Sequence, residues 1–331
     1  MKNITKGVLI GSAAALGAAA LTGAASQTMA HSLVRIALDR QLIFTPGIRT
    51  KKLFSGCREL ERIERLCEEN AFRLEEGDHK RMRIQGRDGE RLVGHLHVSS
   101  APKRTIIAMH GWRTTWARDF GAVSEFWHKN GCNVLYAEQR GHSESGGSFI
   151  SFGITERFDC LSWIERLNRD KRFSELPIYL CGVSMGAATV LMTTGFELPS
   201  NVSGVIADCG FTSPHGIFKH VVNKNLHCPY NSLTVRDIDR VCKKRMNLSL
   251  SSYSTIEAMK KCRVPVLFVH GSADRFVPSS MTYDNFRACA SEKRMFIVPG
   301  ADHGMSYFTD RCGYEREMLR FFADCEKKAV H

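Results

Sequence analysis

The chain has 331 residues, of which 43% are hydrophobic and 24% charged, with only 27 glycines and 9 prolines. That composition belongs to a folded globular protein and excludes a disordered, collagen-like or disulfide-miniprotein chain. Forty-six Lys and Arg against 34 Asp and Glu leave a net charge of +12, which raises nucleic acid, an anionic membrane surface and an acidic substrate as partners to be tested against the motifs.

At the N-terminus, Lys2 and Lys6 precede an uncharged stretch from Gly7 to Ala30 rich in Ala, Gly and Leu. A basic start followed by an apolar run is the pattern of a signal peptide or an N-terminal anchor. The run is about long enough to span a bilayer, although Ala and Gly drive insertion only weakly. Membrane association through residues 1–30 is expected, on a side the flanking charges leave open. Secretion after cleavage near Gly23-Ala24-Ala25, or a cytoplasmic location, are the alternatives. Residues 31–78 read as a helical connector. Within it, Arg58 to Glu76 sets Leu60, Ile63, Leu66, Phe72 and Leu74 among many Glu and Arg, an amphipathic spacing.

From residue 79 the rhythm changes. His79–Gln85 and Arg91–Val98 alternate and are joined by Gly86-Arg87-Asp88-Gly89, which predicts a hairpin. Continuous apolar runs follow at Thr105–Met109, Asn133–Ala137, Ile178–Gly182, Val202–Ala207, Val264–Val269 and Arg294–Val298. Strands buried on both faces of a parallel sheet have this appearance. Helical spacing fills the gaps at Thr115–Lys129, Thr155–Leu167, Met185–Thr194, Ser279–Ala290 and Ser306–Cys325. The alternation predicts an α/β fold over residues 79–328 with a mostly parallel central sheet flanked by helices. Some fifty residues between Thr212 and Arg263 carry no strand pattern, too many for an ordinary connection, so residues 213–262 are expected to form an inserted helical lid after the sixth strand. The lid mixes Ile217, Phe218, Val221, Val222, Leu226 and Tyr230 with Lys243-Lys244-Arg245 and carries nine Lys and Arg against three Asp and Glu. It reads either as a surface for anionic lipid or an acidic substrate or as a solvated helical face. The basic residues are not interleaved with stacking aromatics, which removes nucleic acid from the partners.

Gly182-Val183-Ser184-Met185-Gly186 is a G-x-S-x-G sequence between a predicted strand and a predicted helix, the context in which such a serine becomes an exposed nucleophile on a strained turn. A serine nucleophile requires a base, and the base an orienting carboxylate. His303, in Pro299-Gly300-Ala301-Asp302-His303-Gly304, follows the last strand, where reactive groups collect in open α/β sheets. Asp274, in Val269-His270-Gly271-Ser272-Ala273-Asp274, is the best-placed acid, with Asp208 and Asp302 as rivals. The order Ser184, Asp274, His303 is that of the α/β-hydrolase triad. An oxyanion needs two backbone donors, and the amides of Met185 and of Trp112, in Met109-His110-Gly111-Trp112, are the candidates. His110 lies too early in its turn to be the base and is expected to brace that loop.

Twelve cysteines are scattered with no C-x-x-C pair and no zinc-site spacing, so neither a metal nor a cofactor is expected. Several lie in apolar runs, where thiols behave as small hydrophobes. They suit a reducing compartment, at odds with an exported chain.

Together these residues resemble the α/β-hydrolase superfamily, and more closely the bacterial serine hydrolases with an N-terminal hydrophobic segment of the serine aminopeptidase-like and BAAT-like group. The resemblance covers roughly residues 75–328. It includes Gly182–Val190, Ile206-Ala207-Asp208-Cys209-Gly210-Phe211-Thr212-Ser213 and Glu138–Gly146, the last with Ser143 where the family usually has Gly. The resemblance implies a Ser184–Asp274–His303 triad, a structural Asp208, and a serine hydrolase that cleaves an ester or amide through an acyl-enzyme. A small-molecule acyl ester or amide is then the expected substrate. An acyltransferase on the same scaffold, or a peptidase acting on short peptides, is the alternative.

Overall fold

The computed structural model describes residues 23, 26–40, 58–225, 227 and 229–328, so the expected N-terminal anchor lies almost wholly outside the described residues. Gly89, at φ +83°, closes the turn that joins β1 (Lys80–Gln85) to β2 (Arg91–His97) as an antiparallel hairpin. The apolar runs that follow become β3 (Arg104–Met109), β4 (Cys132–Ala137), β5 (Ile178–Val183), β6 (Val202–Asp208), β7 (Val266–Gly271) and β8 (Lys293–Val298). They form one eight-stranded sheet in the order β1-β2-β4-β3-β5-β6-β7-β8. Only the pairings of β1 with β2 and of β2 with β4 are antiparallel. β3, β4 and β7 are buried at every position, as interior strands covered on both faces must be.

The helices are α1 (residues 26–38), α2 (Arg58–Glu75), α3 (Trp116–Lys129), α4 (Glu156–Asn168), α5 (Lys171–Ser174), α6 (Met185–Thr193), α7 (Pro214–Asn225), α8 (Ser232–Met246), α9 (Thr255–Met259), α10 (Ser279–Ala288), α11 (Ser306–Thr309) and α12 (Arg311–Lys328). One face of the sheet is covered by α3 and α12, through Phe120, Trp127, Met318 and Phe322. The other is covered chiefly by α4 and α6, through Cys160, Trp163, Val190 and Leu191. The expected single helix Ser306–Cys325 is two. Asp310 leaves helical geometry at φ −137°, and its carboxylate accepts the Gly313 amide at 2.9 Å, so it caps α12.

Between β6 and β7 lie α7, α8 and α9. α8 buries Ile238, Val241 and Cys242 and turns Arg236, Arg240, Lys243 and Lys244 outward. α1 packs into the same cluster. Its residues Ala30, Val34 and Leu38, one turn apart, are fully buried with Phe152, Met185, Phe211, Phe218 and Val222. Residues 26–30, read from the sequence as the end of the apolar segment, are therefore part of a helix docked on the lid. No helix among the described residues is long and apolar enough to cross a membrane.

α2 meets α3 at Gly121. A methyl group there would lie 2.6 Å from the carbonyl carbon and oxygen of Asn70. Both neighbours are backbone and cannot yield as a side-chain tip would. Gly121→Ala should lower the unfolding free energy by about 1–3 kcal/mol, read as a reduced urea midpoint at unchanged m-value.

Candidate active site

β5 runs straight into the turn that carries Ser184, whose backbone is held at φ +55°, ψ −115°. Non-glycine residues rarely occupy this region, and such strain persists only where the surroundings impose it. The imposition is visible on both flanks. A Cβ on Gly186 would lie 1.8 Å from the Met109 carbonyl oxygen, and one on Gly182 would lie 2.2 Å from that of Gly186. The Ser184 amide donates to the Asp208 carbonyl at 2.8 Å, tying the turn to β6.

Two loops from the C-terminal ends of β7 and β8 converge on that serine. They are joined by backbone hydrogen bonds from Ser272 to Val298 and from Ala273 to Ala301, both 2.9 Å. His303 Nε2 lies 2.9 Å from Ser184 Oγ, and His303 Nδ1 lies 2.7 Å from Asp274 Oδ2. The other carboxylate oxygen, Oδ1, accepts the amides of Phe276 and Val277 at 2.9 and 2.8 Å. His270 Nε2 lies 3.1 Å from Asp274 Oδ2, and its Nδ1 lies 2.6 Å from Thr282 Oγ1. Burial pushes the Asp274 carboxyl up, but hydrogen bonds from His270 and His303 outweigh it and hold the group well below the ordinary carboxylate range.

The rival acids point elsewhere. Asp208 Oδ1 accepts the Ser306 hydroxyl at 3.0 Å, and burial raises its pKa. Asp302 Oδ1 accepts the His303 amide at 2.8 Å, bracing the turn rather than the ring. Cys209, Asp274 and His303 bring three metal-type donor atoms within 4.8 Å. Burial pushes the Cys209 thiol well up, while the Asp274 and His303 side chains of that group are engaged with each other.

The loop after β3 is held at nearly every polar group. The Gly111 amide donates to Asp119 Oδ2 at 2.7 Å, and the Gly111 carbonyl accepts from His110 Nδ1 at 2.8 Å. His110 Nε2 accepts the Gln139 amide at 3.0 Å, and His142 Nε2 accepts the Arg113 amide at 3.0 Å. The Trp112 indole donates to the Ala37 carbonyl at 2.8 Å. The backbone amides of Trp112 and Met185 meet no acceptor among the described residues. Preorganised, unpaired donors beside a nucleophile are what a developing oxyanion requires.

Asp119 and α1 were missed by sequence reasoning, because a first-turn acid and a distant helix carry no local signal of this use. His142 carries no signal in the sequence beyond its place in a family-like stretch. In that stretch Ser143 sits at φ +41°, which accounts for the glycine usual there.

Comparison with known proteins identifies the family and the fold. The family model described as "Prolyl oligopeptidase family" matches residues 118–329. The chain belongs to that family. Its sheet is that of the α/β-hydrolases, and it is a serine hydrolase of that type. YqkD of Bacillus subtilis is 30% identical over 194 residues, which span 58% of this chain and 62% of that protein, just under two thirds of its length. Human monoglyceride lipase is 26% identical over 202 residues, 51% of this chain and 65% of its own. Among solved structures, the Pyrococcus furiosus esterase Pf2001 superposes with a TM-score of 0.61 at 18% identity, covering 75% of this chain and 91% of that one.

Burial, with His142 nearby, pushes His110 down to about 3 from an ordinary value of 6.5. Between those values the unfolded chain binds a proton that the folded chain refuses. This contribution to stability is intact above pH 6.5 and falls as pH drops toward 3, by up to about 1.4 kcal/mol per pH unit. Urea midpoints measured from pH 7 to pH 4 should fall, and His110→Asn should flatten that slope by about one proton.

Proposed function

We propose that this protein hydrolyses carboxylic esters in two acyl-transfer steps, with Ser184 as nucleophile, His303 as general base and acid, and Asp274 as the orienting carboxylate. The observation that carries the reading is the unbroken line of hydrogen bonds that starts at Ser184 Oγ, on a serine in strained geometry, and runs through His303 to Asp274. His303 Nε2 takes the hydroxyl proton as Oγ attacks the carbonyl carbon. The electron pair of the C=O bond moves to oxygen, where the Trp112 and Met185 amides receive it. Collapse expels the alkoxide, which takes the proton from His303, and leaves acyl-Ser184. Water, deprotonated by the same nitrogen, then releases the acid and restores the serine. Asp274 holds Nδ1 protonated, keeps Nε2 free to accept, and stabilises the imidazolium.

An ester substrate is favoured by the apolar surroundings. Phe276 lies against His303 at 5.1 Å between ring centres, and Trp112 lies 6.1 Å from Phe152. The names of the esterase Pf2001 and of monoglyceride lipase point the same way. Membership of the prolyl oligopeptidase family favours one second reading, cleavage of short peptide amides, in which His303 would pass its proton to the leaving amine.

A fluorophosphonate probe should label Ser184, and Ser184→Ala should abolish labelling with the fold intact. On p-nitrophenyl acetate, Asp274→Asn should lower kcat by about 10⁴-fold, as expected when the imidazole loses its required tautomer. Asp302→Asn, which keeps an oxygen acceptor for the His303 amide, should cost less than about tenfold. Turnover of aminoacyl p-nitroanilides in preference to the esters would replace esterase by peptidase.

A further inference from the structure

We propose that α1 is a working part of the active site: Trp112 and Arg113, docked through their side chains on its C-terminal carbonyls, are positioning residues that aim the Trp112 amide at the oxyanion. The inference rests on the proposed roles of Ser184 and of that amide.

The last carbonyls of a helix have no partner within it, and they form the negative end of its dipole. In α1 the loop after β3 meets two of them, those of Ile36 and Ala37, together with the carbonyl of Asp39 just past the helix. The Trp112 indole nitrogen donates to the Ala37 carbonyl at 2.8 Å. Arg113 Nη2 donates to the carbonyls of Ile36 and Asp39 at 2.8 and 2.7 Å. The guanidinium also stands over the Trp112 ring, 5.1 Å from its centre, so the two side chains reach α1 as one stacked unit.

The rest of the loop shows what this contact adds. Gly111 is fixed at its amide by Asp119 and at its carbonyl by His110, and the Arg113 amide is fixed by His142. The peptide plane between Gly111 and Trp112 carries the proposed oxyanion donor. Its own carbonyl is the His110 anchor and the amide of the next plane is the His142 anchor, so the freedom they leave is a shift of the Trp112 Cα between them, which carries the indole with it. Docking of the indole and guanidinium on α1 removes that freedom, while Arg113 is held at φ +52°.

α1 is itself firmly placed. Ser26 Oγ donates to the buried Asp237 carboxylate at 2.9 Å at one end. At the other, the Ile150 amide donates to the Leu38 carbonyl at 2.8 Å, and Arg40 reaches the carbonyls of Ser143 and Ser145 at 2.6 Å each. Asp39 pairs with Arg245 of α8 at 2.8 Å. The helix thus ties the lid to the oxyanion loop. If α1 were instead a cover that must leave for substrate to enter, loosening it would raise activity.

The full-length protein carrying Arg113→Gln, Arg113→Lys, Trp112→Phe or Val34→Asp tests this with p-nitrophenyl acetate. Arg113→Gln and Trp112→Phe should each lower kcat by about tenfold to a hundredfold, the scale of a misplaced catalytic group. KM should stay within about twofold, the mark of an interaction made only in the transition state. Arg113→Lys should recover part of the loss, since one ammonium replaces a two-carbonyl contact. Val34→Asp should open residues 26–38 to hydrogen exchange and bring the same fall in kcat. An active, fluorophosphonate-labelled parent with undiminished kcat in Arg113→Gln and Trp112→Phe overturns the inference alone, as does a rise in turnover in Val34→Asp. Absence of labelling and turnover in the unaltered protein overturns the ester hydrolase reading, and the inference with it.

Discussion

The site depends on one close approach of backbone to backbone. Gly186 stands against the Met109 and His110 carbonyls at distances no side chain would permit. That contact presses the start of α6 onto the end of β3. It forces the turn at Ser184 into its strained angle, and it sets the Met185 amide beside the loop that carries the Trp112 amide. A single tight seam therefore brings together the Ser184 turn and the two amides proposed to receive the oxyanion. The strain at Ser184 is sustained by the sheet on either side, since Ser184 is hydrogen-bonded to β6 and Gly182 is paired with β3. Local conformation alone would relax it.

The second constraint is electrostatic. Asp274 lies at a buried position that would by itself favour the neutral acid. The imidazoles of His270 and His303 on one oxygen reverse that preference, while two backbone amides hold the other oxygen in place. A carboxylate so held stays charged and orients His303 without taking its proton. Cys67 and Cys160 lack such help. All ten cysteines among the described residues are free thiols, and nine are buried. Burial pushes Cys67 to about 11 and Cys160 to about 12, so neither supplies a thiolate at neutral pH.

Much of this was legible because it is local. The strand runs, the hairpin turn and the glycine-flanked serine each declare themselves within a few residues. Asp274 could be preferred to Asp208 and Asp302 by position and chain order, but all three lie at or just past strand ends and only the folded chain shows which carboxylate faces a ring nitrogen. Asp310 is a related case. Its helix-capping contact to Gly313 lies inside a window whose apolar spacing reads as one continuous helix. Periodicity reports that a face is apolar and is silent about what will cover it. The stripe Ala30, Val34, Leu38 is visible in the sequence, yet nothing local says that it meets Phe152 and Met185 rather than lipid.

The positive charge acquires a location by the same reasoning. The lid's two aspartates are both engaged inside it. Asp237 receives Ser26, Arg236 and Arg240, while Asp239 receives His215, Ser251 and the Leu250 amide. The carboxylates therefore lie on the packed side of α8, where they bind α1 and the following turn, and the cations lie on the open side. The sign of the outer surface is then tied to how α1 is held: the carboxylates that meet Arg236, Arg240 and Arg245 lie beneath them, beside α1 or just past its end, and leave the guanidinium groups on the outside. A basic lid goes with the packing of α1, whatever ligand that surface meets.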